Sequence, residues 1–236
     1  MRQAFMRNRW YDLLFVHYAL DPGVVRPLVT DGLELDTFPE PDGQKAAWVG
    51  LVLFRMTGVR PRWMPEVAAW SRFAETNVRT YVRTADGTPG VLFLSLDASN
   101  GFACRAARAL YHLPYWHSRM SVEREGDSVR YASERVASGA GASASCVLGR
   151  ALGEAAAGSL DYFLVERYLL FSRFAGRLFS ARVHHAPYGL REARLEGWRE
   201  TLTEALGLPV GLSPAHVCFC DGVDAEVFCP RPYRAV

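Results

Sequence analysis

The stretch Phe73-Ala-Glu-Thr-Asn-Val-Arg-Thr-Tyr-Val-Arg83 alternates long polar side chains with smaller or apolar ones, with a period of two. On a β-strand, this period directs successive side chains to opposite faces of the sheet. The stretch therefore predicts a strand with one polar face, which we call the polar row and which consists of Glu75, Asn77, Arg79 and Tyr81. The pattern alone leaves open whether the row is exposed to solvent or lines a cavity.

The charges of the polar row need partners from elsewhere in the chain. Glu75 and Arg79 are separated by four strand positions, about 13 Å, so they are too far apart to pair directly on one straight strand. If the row faces inward, Arg79 needs a matching anion, because removing one member of a buried ion pair typically costs about 3 to 5 kcal/mol. Asp97, at the end of the next predicted strand, is the expected partner.

The segments on either side of the row also indicate strands. Residues 46–56 form a nearly continuous hydrophobic run, which is typical of a strand covered on both faces. After the row, Asp86-Gly87 and Pro89-Gly90 break the chain before residues 91–97, which predicts an antiparallel hairpin with the row.

The rest of the chain mixes predicted strands with short helices. The fold class is therefore α+β, mainly antiparallel β with three or four helices, rather than a regular βαβ alternation. The low-complexity stretch 137–145 is compatible with a linker between two domains, but we interpret it as a loop leading into a strand near Cys146, within one domain spanning residues 1–236. Helices are predicted over 22–29, 99–111, 159–169 and 198–206, a hairpin over 118–125 and 128–136, and two closing strands over 216–220 and 225–228.

Composition narrows the class of protein. The chain has 236 residues, is 50% hydrophobic and 22% charged, and carries a net charge of +2, which is the profile of a soluble globular protein. The basic residues are scattered, so we expect no nucleic-acid partner. The longest apolar run, residues 46–54, is far shorter than the roughly 20 residues of a membrane helix, so we expect no membrane association. A homo-oligomer is compatible with the sequence, which leaves the oligomeric state open.

Five dispersed cysteines and the N-terminal sequence favour a cytoplasmic protein. An odd number of separated cysteines suits reduced thiols better than a disulfide framework, and no apolar core of signal-peptide length follows the N-terminal basic residues. We expect neither nucleotide nor other cofactors, because no glycine-rich phosphate loop follows a predicted strand.

Histidines and cysteines supply further candidates. His112 and His117 bracket Leu113-Pro-Tyr-Trp116; an ordinary role at a helix end is favoured for His112, whereas His117 is evenly balanced between a general base and an ordinary strand residue. His216, Cys218 and Cys220 share one strand face, but their spacing matches no paired-ligand zinc pattern, so no metal site is predicted.

Several motifs together resemble those of an uncharacterised family. These are Trp10-Tyr-Asp-Leu-Leu-Phe-Val-His17, Phe73–Val82, Gly90-Val-Leu-Phe-Leu-Ser-Leu-Asp97, Leu113-Pro-Tyr115 and Glu166-Arg-Tyr168. The combination resembles the YqjF-type family DUF2071 over nearly the whole chain, and that family is similar in fold to acetoacetate decarboxylase. The resemblance implies a cone-like antiparallel β-barrel with a polar cavity, and it favours an inward polar row.

The resemblance to acetoacetate decarboxylase does not extend to its catalytic lysines. Those enzymes form a Schiff base on a lysine of a Gly-x-Pro-Lys-Lys segment, which corresponds here to His112-Leu-Pro-Tyr115-Trp116 and contains no lysine. Lys45 is the only lysine of the chain, beside the turn signal Asp42-Gly43, and we expect it at the surface. The resemblance therefore implies the cavity without the Schiff-base mechanism.

The leading hypothesis is an interior site for a small anionic or carbonyl-bearing metabolite. Arg79 would bind a carboxylate or enolate, with Asn77, Tyr81 and Asp97 as further binding residues. Glu75 would act as general acid or base, with Tyr115 and His117 at the position of the missing lysines, for lyase, isomerase or hydrolase chemistry by proton transfer. The alternatives are a non-catalytic ligand-binding or sensing protein of the same fold and, less favoured, a structural protein with an exposed polar strand.

Overall fold

The computed structural model of the chain describes residues 4–40, 43–63, 65–66, 71–102, 104–105 and 113–233. Strands dominate these residues. In chain order they are β1 (Met6–Leu20), β2 (Glu34–Leu35), β3 (Thr37–Pro39), β4 (Lys45–Pro61), β5 (Phe73–Arg83), β6 (Pro89–Ala98), β7 (Tyr115–Glu125), β8 (Ser128–Arg135), β9 (Gly141–Gly153), β10 (Leu169–Phe174), β11 (Arg177–His185), β12 (Leu190–Glu200), β13 (His216–Val227) and β14 (Arg231–Pro232).

Helices are fewer than expected. Two α-helices have both ends within the described residues, α1 (Pro22–Val25) and α2 (Leu160–Val165), and two single 3₁₀ turns span Arg26–Leu28 and Glu204–Leu206. The prediction of three or four helices is therefore wrong for this part of the chain. Residues 101, 102, 104 and 105 are helical, but much of the helix predicted over 99–111 lies outside the described residues.

One helix prediction failed and another is too long, because strand pairing overrides local pattern. The predicted helix over 198–206 is strand up to Glu200, where Trp198 pairs with Ala144 of β9 and donates a hydrogen bond from Nε1 to the Tyr18 hydroxyl at 2.8 Å. The predicted helix over 159–169 ends at Val165, and β10 begins at Leu169. Cross-strand contacts and burial supply more stabilisation than helix propensity, which is a weak prior.

Glycines at two places allow close approach of strands where a loop and a break between two strands were expected. A Cβ at Gly141 would lie 2.0 Å from the carbonyl oxygen of Ser133, so the small-residue stretch enters β9 instead of forming only a loop. A Cβ at Gly222 would lie 2.6 Å from the carbonyl oxygen of Trp10, and β13 runs uninterrupted through Asp221-Gly222. The two predicted closing strands are therefore largely one strand.

The strands form one mixed sheet that closes on itself. Pairing of β5 with β6 completes a ring through β6, β7, β8, β9, β12, β13, β1, β4 and β5, and pairings of β10 with β6 and of β11 with β13 complete a second ring that shares part of the first. The pairs β6–β7 and β6–β10 are parallel. The predicted antiparallel hairpins β5–β6 and β7–β8 are confirmed. The cone-like barrel remains a prediction.

Both faces of β5 are covered. Val78 joins a core cluster with Leu51, Val129, Tyr131 and Phe219 on one face. Tyr81 belongs to a second cluster on the other face, together with side chains of β1, β4, β13 and α2. All residues from Ala74 to Val82 are buried, so the polar row is interior and the surface alternative is wrong.

Among the described residues, no helix has both the length and the hydropathy needed to cross a membrane.

Candidate functional site

Arg79 is a buried arginine that forms no ion pair with any carboxylate of the described residues. Its Nη2 donates a hydrogen bond to the Leu164 carbonyl oxygen at 2.9 Å, and its Nε has no hydrogen-bond partner. Its Cζ lies 5.7 Å from the ring centroid of Phe15 and 5.8 Å from that of Tyr81. The guanidinium therefore retains a free donor and a positive charge that no side-chain anion compensates.

The end of α2 supplies one wall of the site. The last carbonyl groups of a helix have no partner within the helix, so side chains can donate to them. The Leu164 carbonyl accepts from the Tyr81 hydroxyl at 2.9 Å as well as from Arg79, and the Phe163 carbonyl accepts from Arg167 Nε at 2.7 Å. Burial raises the pKa of Tyr81, which keeps its hydroxyl protonated as a donor.

Arg167 is a second buried arginine at the same end of α2, and unlike Arg79 it has an anionic partner. Its Nη1 lies 2.8 Å from Asp36 Oδ2, and both side chains are buried. Asp36 also accepts from Arg83 Nε at 2.6 Å. This network connects the end of α2 to the loop between β2 and β3. Of the two buried arginines at this helix end, Arg167 therefore has an anionic partner and Arg79 has none within the described part of the chain.

Three residues form a line across β1, β4 and β5. His17 pairs with Gly50, and Gly50 pairs with Arg79, so the side chains of His17 and Arg79 share one face and flank the glycine. A Cβ at Gly50 would lie 2.9 Å from His17 Cδ2 and 3.1 Å from the Tyr81 hydroxyl. Glycine at this position therefore lets the imidazole and the phenol come together in front of the β4 backbone.

His17 begins a chain of hydrogen bonds that leads towards the surface. Its Nδ1 lies 2.9 Å from His216 Nδ1, and His216 Nε2 lies 2.6 Å from Asp161 Oδ1 on the first turn of α2. His17 Nε2 has no partner among the described residues. The pKa of His17 lies well below its usual value, because burial, His216 and the positive charge of Arg79 all disfavour the imidazolium.

Glu75 marks the other end of the polar row. The Tyr115 hydroxyl donates to Glu75 Oε2 at 2.6 Å, and the carboxyl is buried. Burial raises the pKa of Glu75 to about 7, although hydrogen bonds from Tyr115 and Asn77 act against this. Asn77 Oδ1 has no partner. A carboxyl with this pKa can both donate and accept a proton near neutral pH.

Asp97 is not the partner of Arg79, and this correction follows from the register. Asp97 pairs with Thr76, which places it on the face opposite the polar row. Its carboxylate accepts from Arg135 at 2.7 and 2.9 Å and from the Ser118 hydroxyl at 2.8 Å. Asp97 therefore belongs to a network on the other face, and the predicted pairing of Asp97 with Arg79 is wrong.

The remaining predicted residues lie in different surroundings. His117 is exposed near the start of β7, beside Gly101, so the structure does not bring it into the buried row with Tyr115. Lys45 is exposed at the start of β4, as expected. His112 lies outside the described residues.

The thiols beside His216 are buried in the core. Cys218 and Cys220 belong to the same hydrophobic cluster as Tyr81, and burial raises the pKa of both, of Cys220 to about 11. Metal binding requires a thiolate, which this environment disfavours.

An open groove lies elsewhere, along β7, β8 and β9. Two of its charged residues, Arg119 and Glu134, pair with each other at the surface, 3.7 Å apart. The polar row has two buried polar atoms without a hydrogen-bond partner among the described residues, Asn77 Oδ1 and Arg79 Nε, and such atoms in a native structure point to a bound water, ion or ligand.

Sequence reasoning missed His17, Gly50 and Asp161 as site residues and considered His216 only as a metal ligand. One signal was available, because a glycine inside an apolar strand, as in Val49-Gly50-Leu51, often marks a close approach of other groups. The assembly of the other three depends on strand register and on the position of α2, which no local pattern specifies.

Comparisons with known proteins agree with this architecture. The chain is 38% identical over 204 residues to the uncharacterized protein YqjF of Bacillus subtilis (strain 168), covering 86% of this chain and 82% of YqjF. An acetoacetate decarboxylase-like enzyme from Sphingomonas wittichii RW1 superposes with a TM-score of 0.67 at 14% identity, covering 99% of this chain and 94% of that one.

A second solved structure gives the same result. The enduracididine biosynthesis enzyme MppR, complexed with the condensation product of pyruvate and imidazole 4-carboxaldehyde, superposes with a TM-score of 0.63 at 14% identity over 98% of this chain and 90% of its own. These structural similarities establish an acetoacetate decarboxylase-like fold. The match to the uncharacterized conserved protein family DUF2071 covers residues 7–224. The match extends over most of the chain, and the chain therefore belongs to the DUF2071 family.

Proposed function

We propose that the protein binds a small carboxylate that also bears a carbonyl group, such as a 2-oxo acid, beside Arg79, and that it transfers protons to and from this ligand without a Schiff base. The observation that carries the proposal is the buried guanidinium with no anionic partner and a free Nε. The acetoacetate decarboxylase-like protein from Sphingomonas wittichii RW1 and MppR are both enzymes, and the MppR structure contains the condensation product of pyruvate and imidazole 4-carboxaldehyde.

The charge of Arg79 favours an anionic ligand. An uncompensated buried charge destabilises a protein, whereas a carboxylate or enolate would accept from the forked donors of the guanidinium. The hydroxyl of Tyr81 and the ring of His17 lie on the same face and offer further polar contacts. A bound anion would therefore be for Arg79 what Asp36 is for Arg167, a buried partner that compensates the positive charge.

Proton transfer fits the other groups of the row. Glu75 has a pKa of about 7 and a phenol partner in Tyr115, which suits general acid or base catalysis near neutral pH. A Schiff base is disfavoured, because the only lysine of the chain, Lys45, is exposed at the start of β4 and does not belong to the polar row. Lyase, isomerase and hydrolase reactions all use proton transfer by a general acid or base.

The same site also supports a non-catalytic ligand-binding or sensing protein. The observation in favour of this second candidate is the absence of lysine from the polar row, where the residues are Glu75, Asn77, Arg79 and Tyr81.

Thermal shift with pyruvate, 2-oxobutyrate and 2-oxoglutarate tests the binding step. At least one of these should raise the Tm of the wild type, because a ligand that binds only the folded state stabilises it. Arg79→Met should abolish the shift, whereas Arg130→Met, which changes an exposed arginine, should preserve it. The proposal is wrong if no probe shifts the Tm, or if Arg79→Met responds as the wild type does.

Glu75→Gln separates the enzyme from the binder. In D₂O, an enzyme of this kind should replace hydrogens next to the carbonyl of the bound probe by deuterium, which ¹H NMR detects. Glu75→Gln should still show the thermal shift but exchange more slowly. Binding without any exchange by the wild type would favour the sensing protein.

We also propose that the protein works in the cytoplasm. All five cysteines are free thiols in the structure, which suits a reducing compartment.

A further inference from the structure

We propose that His17 is a general base of this site and that His216 and Asp161 connect it to solvent as a proton relay. The inference rests on the proposed function and adds to its proton transfer three residues outside the polar row. Two strands and a helix assemble it, since β1 carries His17, β13 carries His216 and α2 carries Asp161.

The hydrogen bonds determine which nitrogen of His17 is basic. Asp161 can only accept when ionised, so the 2.6 Å contact places a proton on His216 Nε2. In neutral His216, Nδ1 is then an acceptor, and the 2.9 Å contact requires His17 to donate from its own Nδ1. Neutral His17 therefore carries its lone pair on Nε2.

That lone pair lies inside the protein without a partner. His17 is fully buried, and its Nε2 would be 3.3 Å from a Cβ placed on Gly50. The imidazole therefore packs against the β4 backbone at Gly50, on the face shared with Arg79 and Tyr81. A buried acceptor with no partner is rare in folded proteins, and here it points to the position of a ligand or water.

The relay balances both charge and protons. His17 Nε2 takes a proton from the carbon next to the carbonyl of the bound 2-oxo acid, and the C–H electron pair forms an enolate. The Nδ1 proton of His17 passes to Nδ1 of His216, which becomes an imidazolium hydrogen-bonded to Asp161. While the enolate persists, the new proton on His17 Nε2 exchanges with water that enters the site, and the reverse transfers then return a solvent proton to the substrate carbon and restore the neutral pair.

The position of the charges explains why two histidines are needed. Burial and Arg79 disfavour a positive charge on His17, as the lowered pKa shows. On His216 the same charge would lie 2.6 Å from a carboxylate. The side chain of Asp161 is 40% exposed and that of His216 is 15% exposed, so protons can exchange with solvent at this end. The enolate meanwhile forms next to the cation of Arg79.

Deuterium exchange into pyruvate, 2-oxobutyrate and 2-oxoglutarate tests the role of His17. His17→Gln should slow exchange by about 100-fold or more, as expected for loss of a general base, while the thermal shift by the probe is retained. His184→Gln, at an exposed histidine of β11, is the matched control and should exchange at the wild-type rate. If His17→Gln binds the probe and exchanges at the wild-type rate, the relay is wrong and the proposed function still stands. If no probe binds to the wild type, both proposals are wrong.

Asp161→Asn tests the relay at a half-exposed position that the fold tolerates more easily. An amide can donate to His216 Nε2, which moves the proton of His216 to Nδ1 and that of His17 to Nε2, so the base is lost. ¹⁵N NMR should show an unprotonated Nε2 on His17 in the wild type and a protonated one in Asp161→Asn. Exchange should fall at least tenfold in Asp161→Asn and recover in Asp161→Glu. A protonated Nε2 in the wild type would contradict the assignment.

Discussion

Arg135 and Arg79 are buried on opposite faces of the β5–β6 pair and differ in what surrounds them. Arg135 contacts both carboxylate oxygens of Asp97, at 2.7 and 2.9 Å, hydrogen-bonds to Ser95, and stacks 5.0 Å from the ring centroid of Trp116. Arg79 donates to one backbone carbonyl and keeps a free Nε. Burial of a charge is thus common to both faces, and the completeness of its hydrogen bonding is what separates the Asp97 network from the proposed ligand site.

Asp97→Ala should have the largest effect on stability. It leaves Arg135 buried without its anion, which should lower the free energy of unfolding by about 3 to 5 kcal/mol. Urea unfolding measures the change. Asp127→Ala, which removes an exposed partner of Arg191, is the control and should cost less than about 1 kcal/mol. Equal losses in the two variants would mean that the Asp97 network is not structural.

Glu75→Gln should change how stability depends on pH. The native pKa of about 7 lies above the ordinary value of 4.5, so the folded state binds more protons than the unfolded state between these values. The contribution of Glu75 to stability should therefore fall by roughly 3 kcal/mol as pH rises from about 4.5 to 7, and this contribution should be absent from the variant.

Unfolding at pH 5 and pH 8 measures this difference. Glu134→Gln, at a side chain that is 62% exposed, should follow the wild type at both values. If Glu75→Gln retained the wild-type pH dependence, the carboxyl would not be held in a desolvated row.

Gly50→Ala tests how closely the His17 imidazole packs against the backbone at Gly50. The added methyl group would lie 2.9 Å from His17 Cδ2, so the imidazole must shift, and we expect a loss of about 1 to 3 kcal/mol in unfolding free energy. Gly189→Ala is the control, because a Cβ there meets no atom within 4 Å. Equal stabilities of the two variants would show that the side chains on this face repack freely.

Arg79→Met should have the smallest effect, within about 1 kcal/mol in either direction. The substitution breaks no ion pair, and the Leu164 carbonyl still accepts from Tyr81. Arg135→Met is the matched comparison and should cost about 3 to 5 kcal/mol, because Asp97 would be left unpaired. If Arg79→Met destabilised the protein as strongly, Arg79 would be a structural residue and the contrast between the two faces would disappear.

The sequence by itself determined the strands whose signals are local. The strand at Phe73–Arg83, the apolar strand at residues 46–56 and the two hairpins follow from side-chain alternation and turn residues, which act between near neighbours. The family resemblance followed from motifs along the chain, and the absence of lysine from the polar row was visible at once.

Only the tertiary structure decided which groups meet. A shift of one residue in strand register moves a side chain to the other face, so the pairing of Asp97 with Thr76 sent it to Arg135 instead of Arg79. His17 and His216 are 199 residues apart in sequence and meet because β1 and β13 are neighbours in the closed sheet. Such contacts depend on the packing of distant strands, and local sequence patterns contain no information about that register.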